Sequence, residues 1–238
     1  MSNNSILDLY TELANNPDKD FGWEIGLQNA RNHGYKEAWI AAIPEEIWNY
    51  SAAVGNPFNA GELCEGDSVL DIGCGAGVDI CVASLLVGDT GSVYGIDITP
   101  AMVEKSKHNA AIAGLSNITV YEGSFDRLPV DDGAVSIVIS NGAINLAASK
   151  EIVFSEIYRV LIKGGNLYFS DMIKDESNLD KSCCNEESWA DCVAGTLRSS
   201  EIVQLLEKAG FVDVSLLNTN HYKTSASTVG ATFSARKA

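Results

Sequence analysis

The 238-residue chain is 46% apolar and 20% charged with only 5 prolines, a composition that excludes disordered and fibrous proteins and supplies core for one elaborated domain or two small ones. Its 32 Asp and Glu against 16 Lys and Arg give a formal net charge of −16. A field of that sign repels phosphates and anionic lipid, which makes nucleic acid or a membrane surface a poor main partner.

The first sixty residues, with three of the four tryptophans, predict a helical extension (1–60) placed ahead of a repeating core (61–238). The longest apolar run, around Ile80 to Val87, is far short of the ~20 residues that span a bilayer. Met1 to Ser5 lacks the basic and apolar regions of a signal peptide, so a soluble, cytoplasmic protein is expected. From Asp67 onward, short β-branched runs alternate with helical stretches. Ser68 to Ile72 reads as a buried strand followed by a helix through about Val87, and Ser92 to Asp97 as a second strand. Thr99 as N-cap and Pro100 at the first position open the next helix. Asn117 to Tyr121 and Val135 to Ser140 are further strands. Val153, Ile157, Val160 and Leu161 share one helical face, with Gly164 and Gly165 closing that helix. Asn166 to Met172 is a fifth strand, followed by an insertion over residues 174–198. Ser199 or Ser200 caps a helix with the stripe Ile202, Leu205, Leu206 and Ala209 before Gly210. Val212 to Leu217 and Thr228 to Ala235 suit an antiparallel pair at a sheet edge. This βα repetition predicts an α/β fold with a mostly parallel, doubly covered sheet.

The most informative stretch is Val69-Leu-Asp71-Ile-Gly73-Cys-Gly75-Ala-Gly77, where a buried strand turns into a helix. A plain tight turn is one reading; a ligand turn is the other, since open α/β sheets bind ligands beyond the carboxyl ends of their strands. A dinucleotide fingerprint requires a small residue where Val78 stands, which argues against a pyrophosphate. Asp71 suits a cationic ligand, and the carboxylate of Asp97 at the end of the next strand can accept from both hydroxyls of a ribose.

These residues resemble motif I and its acidic follower in class I S-adenosylmethionine-dependent methyltransferases. Gly123-Ser124-Phe125 with Leu128-Pro129, the run from Ser140 to Leu146, and Tyr158-Arg159-Val160-Leu161 with Gly164-Gly165 are similar to further motifs of that family, over Ser68 to about Leu217. The resemblance implies a Rossmann-like, seven-stranded, mostly parallel sheet and S-adenosylmethionine as cofactor. It places Asp71, Gly73, Gly75 and Gly77 on the methionine side, Asp97 on the ribose, Ile98 and Met102 around the adenine, Ser124 and Phe125 at its edge, and Asn141 beneath the sulfonium.

Gly55-Asn56-Pro57, the run from Asp97 to Met102, and Cys192-Val193-Ala194-Gly195 look like the arsenite methyltransferase group in particular, in which As(III) is held by cysteine thiolates. Cysteine is expected there at the positions held here by Val54 and Ile80, and is common where Gly142 stands; only Cys192 matches. Cys81 lies about 100° around its helix from the expected site and reads as a core residue. Cys183 and Cys184 either join Cys192 in a thiol cluster for As(III) or are plain thiols of the insertion. The six cysteines, at irregular spacing and without a CxxC pair, suggest neither a disulfide framework nor a metal site.

Displacement at a sulfonium methyl needs positioning more than side-chain chemistry, and a soft nucleophile needs no strong base. A small-molecule acceptor with a thiol, selenium or arsenic nucleophile is therefore preferred. An oxygen or nitrogen acceptor would call on a base such as His221 or His33, which otherwise read as loop residues. Candidates at the chemistry itself are Cys192, Asn141 and His221, with Asp171 as a polar wall residue or a turn cap. The aromatic set Phe21, Trp23, Trp39, Trp48, Tyr50 and Phe58 forms either the apolar face of the N-terminal helices or a lid over the cofactor. A cofactor-binding scaffold without turnover is the alternative of another class.

Overall fold

A computed structural model describes residues 3–175 and 195–238 of the chain. The β-branched runs form a seven-stranded sheet in the order β3-β2-β1-β4-β5-β7-β6. Its strands are β1 (Ser68–Ile72), β2 (Ser92–Asp97), β3 (Ile118–Glu122), β4 (Val135–Asn141), β5 (Leu161–Lys174), β6 (Phe211–Thr219) and β7 (Thr228–Lys237). The chain divides into two compact units, Met1–Ala53 with Leu63–Ser124, and Val54–Glu62 with Phe125–Ala238.

In the first unit β1, β2 and β3 pair in parallel, with Val69 opposite Val93 and Val93 opposite Ile118. Parallel neighbours require crossovers, supplied by α5 (Val78–Val87) and α6 (Pro100–Ile112), which follow α1 (Asn3–Asn15), α2 (Leu27–Asn32), α3 (Glu37–Ala42) and α4 (Glu45–Trp48). Every residue from Val78 to Ser84 is buried, which explains why α5 has no polar face. Pro100 opens α6 after Thr99, as its fixed φ favours. The N-terminal helices belong to this unit: Leu13 and Ala14 of α1 bury against Ala76 and Met102, with Tyr10, Phe21, Ile25 and Tyr50 around them. Trp48 is fully buried and Trp39 nearly so.

One side chain of α2 ties the irregular residues on either side of helices α2 to α4 together. Asn29, fully buried, donates to Glu24 O and Ala53 O and accepts from Ser51 Oγ and Ala53 N at 2.9–3.1 Å. Its amide thereby satisfies backbone groups that no helix or strand serves.

In the second unit β4 and β5 run parallel, from Ile137 opposite Asn166 to Asn141 opposite Ser170. β7 lies antiparallel to β5, and β6 antiparallel to β7 at the sheet edge, as the late runs predicted. Helices α7 (Lys150–Val160) and α8 (Ser199–Ala209) complete it. Phe233 stacks on Phe169 with centroids 5.0 Å apart, and Phe154 meets Phe169 at 6.0 Å.

Two boundaries differ from the sequence reading. Helix α7 ends at Val160, not at Gly164 and Gly165, and Leu161 already pairs with Val135. Because the next pair is Ile137 with Asn166, residues 162–165 form an irregularity in β5, where Gly164 takes φ 77°. Helix α8 is capped by Arg198 and not by a serine: Glu201 reaches back to accept the Arg198 N–H at 2.7 Å, and Ser199 is already helical. Among the described residues no helix is long and apolar enough to cross a membrane. Most of the insertion expected at 174–198 lies outside the described residues.

Replacing Asn29 by Ala removes four hydrogen bonds, three of them buried, and should lower unfolding free energy by about 2–4 kcal/mol in urea titrations. A loss below about 1 kcal/mol would mean that water replaces the amide.

Candidate functional site

The glycine turn of the first unit hangs on the end of β2. Gly73 N and Cys74 N donate to Ile96 O, while the Asp97 carboxylate accepts from Gly75 N at 3.0 Å through Oδ2 and from Thr99 N at 2.8 Å through Oδ1. Asn109 on α6 donates to Ala76 O at 2.8 Å. The turn after β3 joins this group, since Gly123 N donates to Asp97 O and half-buried Ser124 follows. Gly77, at φ 92°, has no room for a side chain, because a Cβ would sit 2.6 Å from Ser106 Oγ. At Gly75 the space is open and its backbone stands at φ 52°. The strand beneath adapts too: a Cβ at Gly95 would lie 2.9 Å from Cys74 Sγ.

The electrostatics are dominated by buried acid. Asp71, Asp79 and Asp97 are each less than a tenth exposed. Burial, then the charges of Asp79 and Asp97, push the Asp71 carboxyl well above its usual range. Burial also raises Asp97, opposed by its N–H donors from Thr99 and Gly75. Cys74 is pushed up by burial and by Asp97 and Asp71, and Cys81 to about 12 by burial and Asp79, so both stay thiols. Cys81 is a core residue, as its helix phase predicted.

Such a cradle fits a cationic nucleoside. The carboxylates complement positive charge, and the Asp97 carboxylate accepts from the Gly75 and Thr99 N–H groups, with the Thr99 side chain and the Ile98 N–H also turned to it. Met102 is buried beneath Leu13 and Ala14, whereas Ile98 is half-buried. Tyr35, which no motif singles out, donates its hydroxyl to Asp79 Oδ1 at 2.5 Å.

In the second unit the Asn141 side chain at the end of β4 is engaged in both directions. Its Oδ1 accepts from Val54 N and its Nδ2 donates to Gly55 O, each at 3.1 Å, while Asn220 Nδ2 donates to Val54 O at 2.8 Å. Gly55 is required by proximity, since a Cβ there would lie 2.7 Å from Ser170. Val54 packs on Met172 with Leu146 and Tyr222 around it, and a Cβ at Gly142 would meet a Val54 methyl at 3.2 Å. Two positions at which thiols were sought are thus neighbours, and the surface they make is apolar. Phe125 is half-buried at the start of this unit's long segment.

Asp171 lies inside β5 and caps the turn after β4, not the turn that follows its own strand: its carboxylate accepts from Asn145 N at 2.9 Å and from Met172 N at 2.8 Å. Burial nevertheless raises it to about 7, against those donors and Lys150. His221 is exposed after β6; His33 is half-buried, and burial lowers its pKa. Cys183, Cys184 and Cys192 lie outside the described residues.

Residues 63–210 match the model of the methyltransferase domain family. The chain belongs to that family. It is 38% identical over 193 residues to an arsenite methyltransferase of Halobacterium salinarum, covering 81% of this chain and 49% of that protein. A solved arsenic (III) S-adenosylmethionine methyltransferase from Chlamydomonas reinhardtii superposes with TM-score 0.69 at 33% identity, over 84% of this chain and 72% of that one. An S-adenosylmethionine-dependent methyltransferase from Aquifex aeolicus superposes with TM-score 0.55 at 25% identity, over 72% and 84%. The methyltransferase chain thus spans about half the length of the curated relative it matches. The Rossmann-like class I architecture read from the sequence is the one it adopts.

Two outcomes follow from the second unit. Asn141→Asp keeps the acceptor for Val54 N but loses the donor to Gly55 O, and should cost about 1–3 kcal/mol of unfolding free energy; an unchanged urea midpoint would contradict the bridging role. The Asp171 carboxyl holds its proton more tightly folded than unfolded, so its contribution to stability is full below pH 3.8 and is lost as pH rises through about 7. The stability difference between the wild type and Asp171→Asn should therefore drift by roughly 4 kcal/mol across that window, in the direction of a weaker wild type at high pH. A difference independent of pH would contradict it.

Proposed function

We propose that this methyltransferase transfers the methyl group of S-adenosylmethionine to a small acceptor through a soft nucleophilic atom, a thiol, selenium or arsenic. The observation that carries the reading is the acidic glycine turn, in which Asp97 accepts from Gly75 N beside open space at Gly75, with Asp71 and Asp79 buried in the same unit. When bound, S-adenosylmethionine supplies an activated methyl carbon on a positively charged sulfur, with a neutral thioether as leaving group. Asp71, Gly73, Gly75 and Gly77 face the methionine part, Asp97 holds the ribose, Ile98 and Met102 flank the adenine, and Ser124 and Phe125 border its edge. Asn141 acts by fixing the Val54–Gly55 backbone. The N-terminal extension, residues 1–60, serves as a wall of the site.

A soft acceptor is favoured because such an atom needs no general base to displace a sulfonium methyl, and the two histidines weighed for that role stand apart by burial, His221 exposed after β6 and His33 half-buried with its pKa lowered by burial. A thiolate or selenolate attacks the methyl carbon as the carbon–sulfonium bond breaks, the electron pair passes to the departing sulfur, and the charges of the reactants cancel. Positioning and exclusion of water suffice for this step.

Methylation of As(III) is a second reading, favoured by the named activity of the Halobacterium relative and by Cys192 at a matching thiol position. It is opposed by Val54 and Gly142, which leave an apolar surface where two thiolates would stand.

Methyl transfer from labelled S-adenosylmethionine should be measured against small thiols, selenols, As(III), amines and alcohols. Transfer to a thiol or selenol is expected, and Cys192→Ser should leave it intact while abolishing any transfer to As(III). Transfer confined to amines or alcohols would overturn the soft-nucleophile reading.

A further inference from the structure

The turn that leaves β4 is pinned from three sides within the second unit. It runs from Asn141 through Gly142, at φ 70°, into a single 3₁₀ turn, Ile144–Leu146. Two backbone bonds of its own, Leu146 N to Ala143 O and Ala147 N to Ile144 O, each at 3.1 Å, leave its place on the sheet to side chains. From β5, Asp171 accepts from Asn145 N at 2.9 Å, and Met172 O accepts from the Asn145 side chain at 2.6 Å. From α7, the Lys150 ammonium donates to Asn145 O and to Ala147 O, both at 2.9 Å. From the chain before α8, Gly195 comes so close to Asn145 O that a Cβ there would collide with it, and that Cβ would lie 3.3 Å from Lys150 Nζ.

The preferences of α7 do not account for a lysine as its first residue. The helix dipole puts positive charge at that end, which disfavours a cation, and Ser149 already supplies the cap by accepting from Ile152 N. The ammonium serves the 3₁₀ turn instead, holding the carbonyls on both sides of Leu146. The Leu146 side chain is half-buried against Val54 and Met172, and Tyr222 packs on the same pair. Tyr222 is placed by Asn220, whose Oδ1 accepts from Tyr222 N at 2.9 Å while its Nδ2 donates to Val54 O. Two partly exposed apolar side chains thus stand on a buried apolar floor near the carboxyl end of β4, the end of an open α/β sheet at which ligands bind.

We propose that Lys150 is a positioning residue for the methyl acceptor: by clamping the turn after β4 it holds Leu146, with Tyr222, as an apolar wall that selects an acceptor whose soft atom is carried on an apolar body. This rests on the reading of the chain as a methyltransferase of soft nucleophiles. Lys150 acts through Leu146, since its donors are spent on carbonyls of its own chain. An alkyl thiol gains by burying hydrocarbon against the wall, whereas a hydroxylated thiol of the same size must give up water to do so.

The test is steady-state methyl transfer by the whole chain to propanethiol and to mercaptoethanol, which differ by a methyl in place of a hydroxyl, with S-adenosylhomocysteine binding followed by calorimetry. In the wild type kcat/KM should favour propanethiol by roughly tenfold. Lys150→Met keeps the length of the side chain without its donors and should raise the KM for propanethiol about tenfold, with a smaller change in kcat, so that the preference shrinks. Lys150→Arg still donates and should keep most of the preference, while Leu146→Ala should lose it with Lys150 in place. S-adenosylhomocysteine should bind the wild type and Lys150→Met alike, which separates a shifted wall from a loosened fold. A wild type without preference between the two thiols, or a Lys150→Met variant that loses both thiols equally, would overturn the proposal while leaving transfer to soft atoms standing. Transfer to no thiol or selenol by the wild type would overturn the acceptor reading and this one with it.

Discussion

The Asp97 carboxylate is the constraint on which the first unit's site depends. Its two oxygens take the N–H groups of Gly75 and Thr99, so one side chain sets both the glycine turn and the start of α6. Holding that carboxylate in a buried place requires donors around it, and the turn supplies them from its own backbone. Replacing the turn's glycines by larger residues would therefore disturb the partners of Asp97 as well as the space above them. Asp71 and Asp79 are buried in the same unit, and burial together with the charge of Asp79 raises the Asp71 carboxyl.

The second unit is organised by amides instead of acids. Asn141 and Asn220 carry backbone groups that lie outside regular structure, Val54 and Gly55 for the first and Val54 for the second, while Asn145 donates to Met172 O within β5. A neutral side chain with both donors and an acceptor does this without charge to desolvate. Asp171 is the exception, and its raised pKa shows what burial costs a carboxylate even with two N–H partners.

Much of the fold was legible because strands buried on both faces read as β-branched runs. β1 and β2 have the boundaries that Ser68 to Ile72 and Ser92 to Asp97 predict, and the antiparallel edge of β6 and β7 follows from two runs without helical period. The end of α7 was not legible, since Leu161 continues the apolar face of the helix and yet is taken by pairing with Val135. At the site, Asp71, the glycines and Asp97 stand out by type and spacing. Tyr35 does not, because it meets Asp79 from 44 residues away and a lone tyrosine among tryptophans looks like core. Val54 and Gly142 could be named as departures from a thiol pattern, but their contact is a tertiary fact that no spacing encodes.

The buried cysteines bear on a hazard of this chemistry. A protein that holds an alkylating agent must not alkylate itself, and Cys74 lies within the very turn assigned to the donor. Burial and the neighbouring acids keep it protonated, as burial and Asp79 do for Cys81. With the donor placed at this turn as proposed, the acidic cluster would act as chemical insulation, complementing a charged reagent while holding the Cys74 thiol in its unreactive protonated form.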